Sequence, residues 1–195
     1  MLKLATGIAG AVLVLSQVAC SDTQPTTAPR LAAAGAAQAD EHGRDGHTGV
    51  DRLLTMLDAC DGPSFSAQHI ACARSGGVSF QQFIDEVTRK GSVGGWEFAP
   101  PKLALKLGES FAALNRGGEA HTFTEVAHFG GGIVPSLNQL SGNPVPAAEC
   151  LALAPSAFVA PGMMSMPDVA DETGTELYQC CIHPWMRTVV TVKRS

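Results

Sequence analysis

In VDRLLTMLDAC, residues 50–60, the apolar side chains Val50, Leu53, Leu54 and Leu57 recur at the spacing of one helical face. They predict a short amphipathic helix that ends near Cys60. A second helix is predicted in GGVSFQQFIDEVTRKG, where Ser79 and Gln82 form a capping box and Val78 and Phe83 occupy the staple positions. Lys90 gives that helix a basic last turn and Gly91 a stop. From Trp96 onward the period shortens to two. KLALKLGESFAALN puts Leu103, Leu105 and Leu107 on one face, turns at Gly108 and Glu109, and resumes as a second extended run. HTFTEV and MRTVVTVK are rich in β-branched residues, and TELYQCC sets Leu177, Gln179 and Cys181 against Glu176, Tyr178 and Cys180. Short strands parted by Gly, Pro and Asn turns predict an all-β, antiparallel Greek-key sandwich of about 100 residues. It would occupy 96–195, behind a short N-terminal helical extension at 50–95. SLNQLSGNPVPAAECLALAPSAF is long for a sandwich loop and predicts a structured excursion tied down by Cys150.

The front of the chain carries a different signal. MLKLATGIAGAVLVLSQVAC has one cation, Lys3, and then an apolar run too short to span a bilayer, the pattern of a secretory signal over 1–20. VAC before SDTQ leaves two readings of Cys20: the lipidated first residue of a membrane-anchored mature chain, or a residue beside an ordinary cleavage point. Residues 21–49 turn to Ala, Thr, Gly and Pro and predict a flexible tether, in which His42 and His47 are read as solvated. The expected location is periplasmic or otherwise extracytoplasmic, where disulfides persist.

Charge and composition narrow the partners. A net charge of -5 gives no basic field to hold a phosphate backbone, so nucleic acid is not expected. The chain shows no Ser, His and Asp set, Gly-rich phosphate loop or paired carboxylates at convincing spacing, so it is not read as an enzyme. Cys60 and Cys72 close a short loop and predict a disulfide.

The chemistry concentrates in QCCIHPWM, residues 179–186. Cys180, His183 and Met186 offer a thiolate, an imidazole and a thioether within seven residues. Two histidines, one cysteine and a long axial methionine make a blue-copper electron-transfer site, so a further histidine is needed from a distant strand.

The run GTELYQCCIHPWMR, together with LKLGESFAALNRGGEAH upstream, resembles the amicyanin-like and plastocyanin-like blue copper proteins of the cupredoxin family. The resemblance covers about residues 96–195. It implies one type 1 copper, with His121, Cys180, His183 and Met186 as ligands, in an exported one-electron carrier that serves protein redox partners. Strand alternation agrees with Cys180 as the ligand, because adjacent side chains face opposite ways and both thiols cannot reach one metal. Cys181 then faces away, and counting pairs it with Cys150. Thr122 stands where many members have an Asn that bonds across to the ligand loop.

Other residues carry weaker signals. His128 is read as solvated, and Met163, Met164 and Met166 as apolar filler. Trp185 reads either as core or, with Pro184, as an apolar docking patch around an exposed edge of His183; the patch is preferred. The rival to a carrier is a module that stores or delivers copper through the methionines and the tether histidines. A thiol–disulfide enzyme on Cys180 and Cys181 is a weaker third, since a vicinal bridge is strained.

Overall fold

A computed structural model describes residues 49–194. The expected export signal at 1–20 with Cys20, and the expected tether up to residue 48 with His42 and His47, lie outside the described residues.

The first element is a strand, β1 (Arg52–Leu57), and not the helix expected there. Leu54 and Met56 are fully buried, while Leu53, Thr55 and Leu57 on the other face are half-covered. LLTML therefore satisfies the helical and the extended period at once, and pairing decides between them. β1 lies hydrogen-bonded between β2 (Glu97–Ala99) and β4 (Ser110–Asn115), antiparallel to the first and parallel to the second. With β8 (Asp168–Val169) these make a sheet of order β2-β1-β4-β8. The sandwich thus begins before residue 96, because a strand from the supposed extension sits inside its first sheet.

The second sheet runs β3-β10-β9-β6, from β3 (Lys102–Lys106), β10 (Arg187–Lys193), β9 (Gly174–Gln179) and β6 (Thr124–Glu125). β10 is antiparallel to β9 but parallel to β3, so both large sheets are mixed where antiparallel ones were expected. The turn at Gly108, whose φ is 88°, carries the chain from β3 in one sheet to β4 in the other. That crossing leaves Leu107 43% exposed, although Leu105 of the same alternation is buried. A small third sheet pairs β5 (His121–Thr122) with β7 (Phe158–Val159).

Inner faces of the two large sheets share one core. Leu54, Met56, Phe111 and Ala113 come from the first, and Leu105, Tyr178, Val190 and Val192 from the second. Phe111 meets the Tyr178 ring edge-on at 5.4 Å between centroids.

Two helices precede β2. The short α1 (Gly62–Ser66) is capped by Asp61, which accepts from the Ser64 N–H. The longer α2 (Phe80–Lys90) has the predicted capping box and ends at Gly91, whose φ of 74° is left-handed. Phe83 and Val87 are its buried residues, and they face the core. The Cys60–Cys72 disulfide ties the α1 loop to the end of β1.

The excursion after β6 is ordered. It contains α3 (Pro135–Leu140) and two 3-10 turns at Glu149–Ala152 and Pro155–Ala157. Cys150 is bonded to Cys181, and Ile133 N–H donates to the Cys181 carbonyl at 2.7 Å. A separate small cluster of Val126, Ala147, Cys150 and Cys181 lies on that side of β9.

Candidate metal centre

Three donor atoms converge at the end of β9. Cys180 Sγ lies 3.8 Å from His121 Nδ1 and 4.0 Å from His183 Nδ1. All three residues are buried. Metal bonds of about 2.0 Å to nitrogen and 2.3 Å to sulfur at trigonal angles would put such donors about 3.7 Å apart. The arrangement therefore fits a single ion with two histidines and one thiolate, the donor set of a type 1 copper.

The local sequence explains the placement. Cys180 N–H donates to the Met186 carbonyl and Met186 N–H to the His183 carbonyl, which closes a tight loop and turns His183 back toward the thiol. Met186 is fully buried. His121 comes from β5, held by its pairing with Val159. The Asn115 side chain shapes the approach: its amide donates to the Glu119 and Val159 carbonyls, and its oxygen accepts from Gly117 N–H.

Cys180 and Cys181 face opposite ways. Tyr178 and Cys180 join the main core, whereas Cys181 lies with Cys150. Cys180 is the free cysteine among the described residues. Its sulfur accepts the Thr122 and Ile182 N–H groups at 3.5 and 3.4 Å. The Thr122 hydroxyl accepts Cys181 N–H at 2.7 Å, so it makes a bond across to the ligand loop.

Two buried carboxylates stand behind the histidines, and neither was singled out from the sequence. Asp58 Oδ2 is 2.9 Å from His121 Nε2 and also accepts Gly118 and Glu119 N–H at 2.7 and 2.9 Å. Its other oxygen accepts Cys60 N–H at 3.2 Å. Glu119 Oε2 is 3.7 Å from His183 Nε2 and accepts the Trp96 indole N–H at 2.6 Å. The Gly117–Gly118 doublet is the sequence signal for this approach: a Cβ at Gly117 would strike the Asp58 carboxylate, and one at Gly118 would come within 2.7 Å of Cys60 Sγ. Asp58, Cys60 and Glu119 also cluster, but the Cys60 sulfur is committed to Cys72.

These contacts set the charges of the metal-free site. Burial alone would raise the Asp58 carboxyl, yet the hydrogen bonds from His121, Glu119, Gly118 and Cys60 outweigh it and hold it at about 2. Burial works against a charged His121, but Asp58 and then Cys180 raise it to about 9. For Cys180, burial opposes the thiolate, and the two imidazoles overcome it and hold the thiol well below its ordinary value. Burial raises the Glu119 carboxyl.

The expected docking patch is absent around His183. That ring is 2% exposed and Pro184 is buried. Phe83 of α2 meets the His183 ring edge-on at 6.2 Å, Trp96 lies at 6.4 Å, and the half-buried Trp185 at 5.5 Å. α2 thus lies over the histidine edge, and sequence reading missed this because it assigned the helix to a separate extension. An apolar cleft of about 280 Å³, lined by Phe65, Phe83, Ile84, Leu137 and Ile182, reaches His183 and Glu119.

Of the secondary candidates, His128 is exposed, as expected of a solvated residue. Met163 and Met166 are 60% and 74% exposed, so they are not the apolar filler expected; Met164 is half-buried.

No protein-family model and no curated protein matches the chain. Among solved structures, a novel purple cupredoxin from Nitrosopumilus maritimus is similar over 73% of this chain and 100% of its own, at 15% identity and a TM-score of 0.42. An amicyanin mutant in the Cu(I) state matches 50% of this chain and 73% of its own, at 21% identity and a TM-score of 0.35. A second amicyanin mutant, reduced, gives 52%, 78%, 22% and 0.36 for the same quantities.

Proposed function

We propose that this protein is an exported type 1 copper protein that carries one electron at a time. The observation that carries the reading is the convergence of Cys180 Sγ on the Nδ1 atoms of His121 and His183 at 3.8 and 4.0 Å, in a fully buried pocket beside Met186. Bound copper would supply one-electron Cu(II)/Cu(I) chemistry, which this donor set supports. His121, His183, Cys180 and Met186 would hold the metal. The buried loop and the Cys150–Cys181 brace would keep the donors in place through the cycle. The two disulfides support an extracytoplasmic location. Mass spectrometry of the membrane fraction decides whether Cys20 carries lipid.

The decisive measurement is the visible spectrum of the copper-loaded chain. An intense thiolate-to-copper band, lost in Cys180→Ser and kept in Cys181→Ser, is expected; a colourless protein, or the reverse pattern, would sink the assignment. Reversible one-electron voltammetry is then expected of a carrier.

The second reading, copper storage or delivery, gains one observation: the Met163 and Met166 thioethers are exposed to solvent. Titration with Cu(I) separates the two. A carrier takes one ion per chain, and a store takes more, with the excess lost in the Met163→Ala, Met166→Ala double variant.

A further inference from the structure

Both histidines turn Nδ1 toward Cys180 and Nε2 toward a buried carboxylate, Asp58 behind His121 and Glu119 behind His183. Both carboxylates are built in. Asp58, 3% exposed, accepts three backbone N–H groups besides the imidazole, and the disulfide at Cys60 fixes the chain two residues on. Glu119, 6% exposed, is held by the Trp96 indole. A merely structural Asp58 would need only the backbone donors. Its fourth contact, at 2.9 Å, is to the far nitrogen of a candidate ligand.

We propose that Asp58 is a positioning residue: it holds the His121 imidazole by Nε2, presents Nδ1 to the metal and, with the nearby Glu119 carboxylate, tips the site toward Cu(II). The proposal rests on the type 1 copper reading and deepens it. An acceptor on Nε2 fixes the ring's tautomer and raises the basicity of the coordinating nitrogen. Negative charge near a metal favours its higher oxidation state, because the extra positive charge of Cu(II) is attracted more strongly than that of Cu(I). Asp58 contributes more, since its contact with the imidazole is the shorter.

The test compares Asp58→Asn, Asp58→Ala and Glu119→Gln with the parent, as full chains loaded with copper. Asparagine keeps an acceptor without the charge. Asp58→Asn is expected to shift the Cu(II)/Cu(I) balance roughly tenfold toward Cu(I), a rise of about 59 mV for one electron. Glu119→Gln is expected to shift it less, in the same direction. Nitrogen-15 spectra of the diamagnetic Cu(I) form are expected to show Nδ1 bound on both rings and, on His121, Nε2–H protected from exchange. That protection is lost in Asp58→Ala and kept in Asp58→Asn. Potentials unchanged within twofold in both charge variants, a shift toward Cu(II), or binding through Nε2 would overturn the proposal. If Asp58→Ala does not fold, the Asn and Gln variants still decide. A parent without the thiolate-to-copper band defeats the copper reading before any variant is compared, and Nε2–H exchange in the metal-free chain then tests the positioning bond alone.

Discussion

At the scale of residues, Asp58, His121 and Cys180 form a chain in which each contact favours its neighbour's charged form in the metal-free protein: carboxylate, imidazolium, thiolate. Asp58 is depressed from 3.8 to about 2, so its stabilisation is present above about pH 4 and is lost as pH falls through 2. His121 is raised from 6.5 to about 9, so its stabilisation is complete below about pH 6.5 and is lost as pH rises through 9. The Cys180 thiol, held low, acts in the opposite sense to His121, its stabilisation growing as pH rises toward the ordinary thiol value. Chemical denaturation of the metal-free chain should therefore show a loss of about 2 kcal/mol of Asp58 stabilisation as pH falls from about 4 to 2. Copper must displace the proton on His121 Nδ1. Copper uptake at pH 7 should therefore be accompanied by proton release, and affinity should rise with pH up to about pH 9. Indicator-dye titration reads the proton directly, and a copper uptake with no proton released would contradict the charge chain. The neighbouring thiol behaves differently. Cys181→Ser opens a 31-residue disulfide separation and should cost about 3–4 kcal/mol, while leaving the donors in place.

The same scale shows what was legible. Cys180, His183 and Met186 could be read because a tight loop writes its ligands consecutively. His121 needed a family pattern, since nothing local ties it to residues some sixty positions later. Asp58 and Glu119 were hidden because a buried carboxylate is indistinguishable in sequence from a solvated one until the fold brings a histidine to it.

Among the elements, α2 was legible from its own ends, since a capping box and a terminal glycine act within one turn. β1 was not. Its period is ambiguous, and the fact that settles it is the presence of β2 and β4 on either side, both far along the chain. Burial of Leu54 and Met56 in the shared core makes β1 costly to weaken: Leu54→Ala should lose about 2–5 kcal/mol of unfolding free energy. α2 has a second task, which is to cover His183. Phe83→Ala should cost about 3–5 kcal/mol and, by uncovering the ring, raise the electron self-exchange rate of the copper-loaded protein. Paramagnetic line broadening measures that rate; an unchanged rate in a folded variant would mean that electrons do not pass through the His183 edge.

For the whole molecule, the boundary drawn after residue 95 divides a unit that the structure keeps together. The first sheet loses an interior strand without β1, and His121 loses its carboxylate without Asp58. A fragment of residues 96–195 should accordingly give no cooperative unfolding transition and no stoichiometric copper binding by calorimetry, while residues 44–195 should give both.

The opposed neighbours Cys180 and Cys181 have a consequence for biogenesis. Cys150 approaches a dipeptide in which one thiol is oxidised and the other free, and both arrive from the same strand end. An error of one residue would couple Cys150 to Cys180, sealing the strand and silencing the site in a single bond. Correct pairing therefore requires Cys150 to discriminate between two adjacent thiols. Protein oxidised without copper should contain a non-binding fraction whose peptide map shows the Cys150–Cys180 link, and a disulfide isomerase should convert that fraction to the binding form.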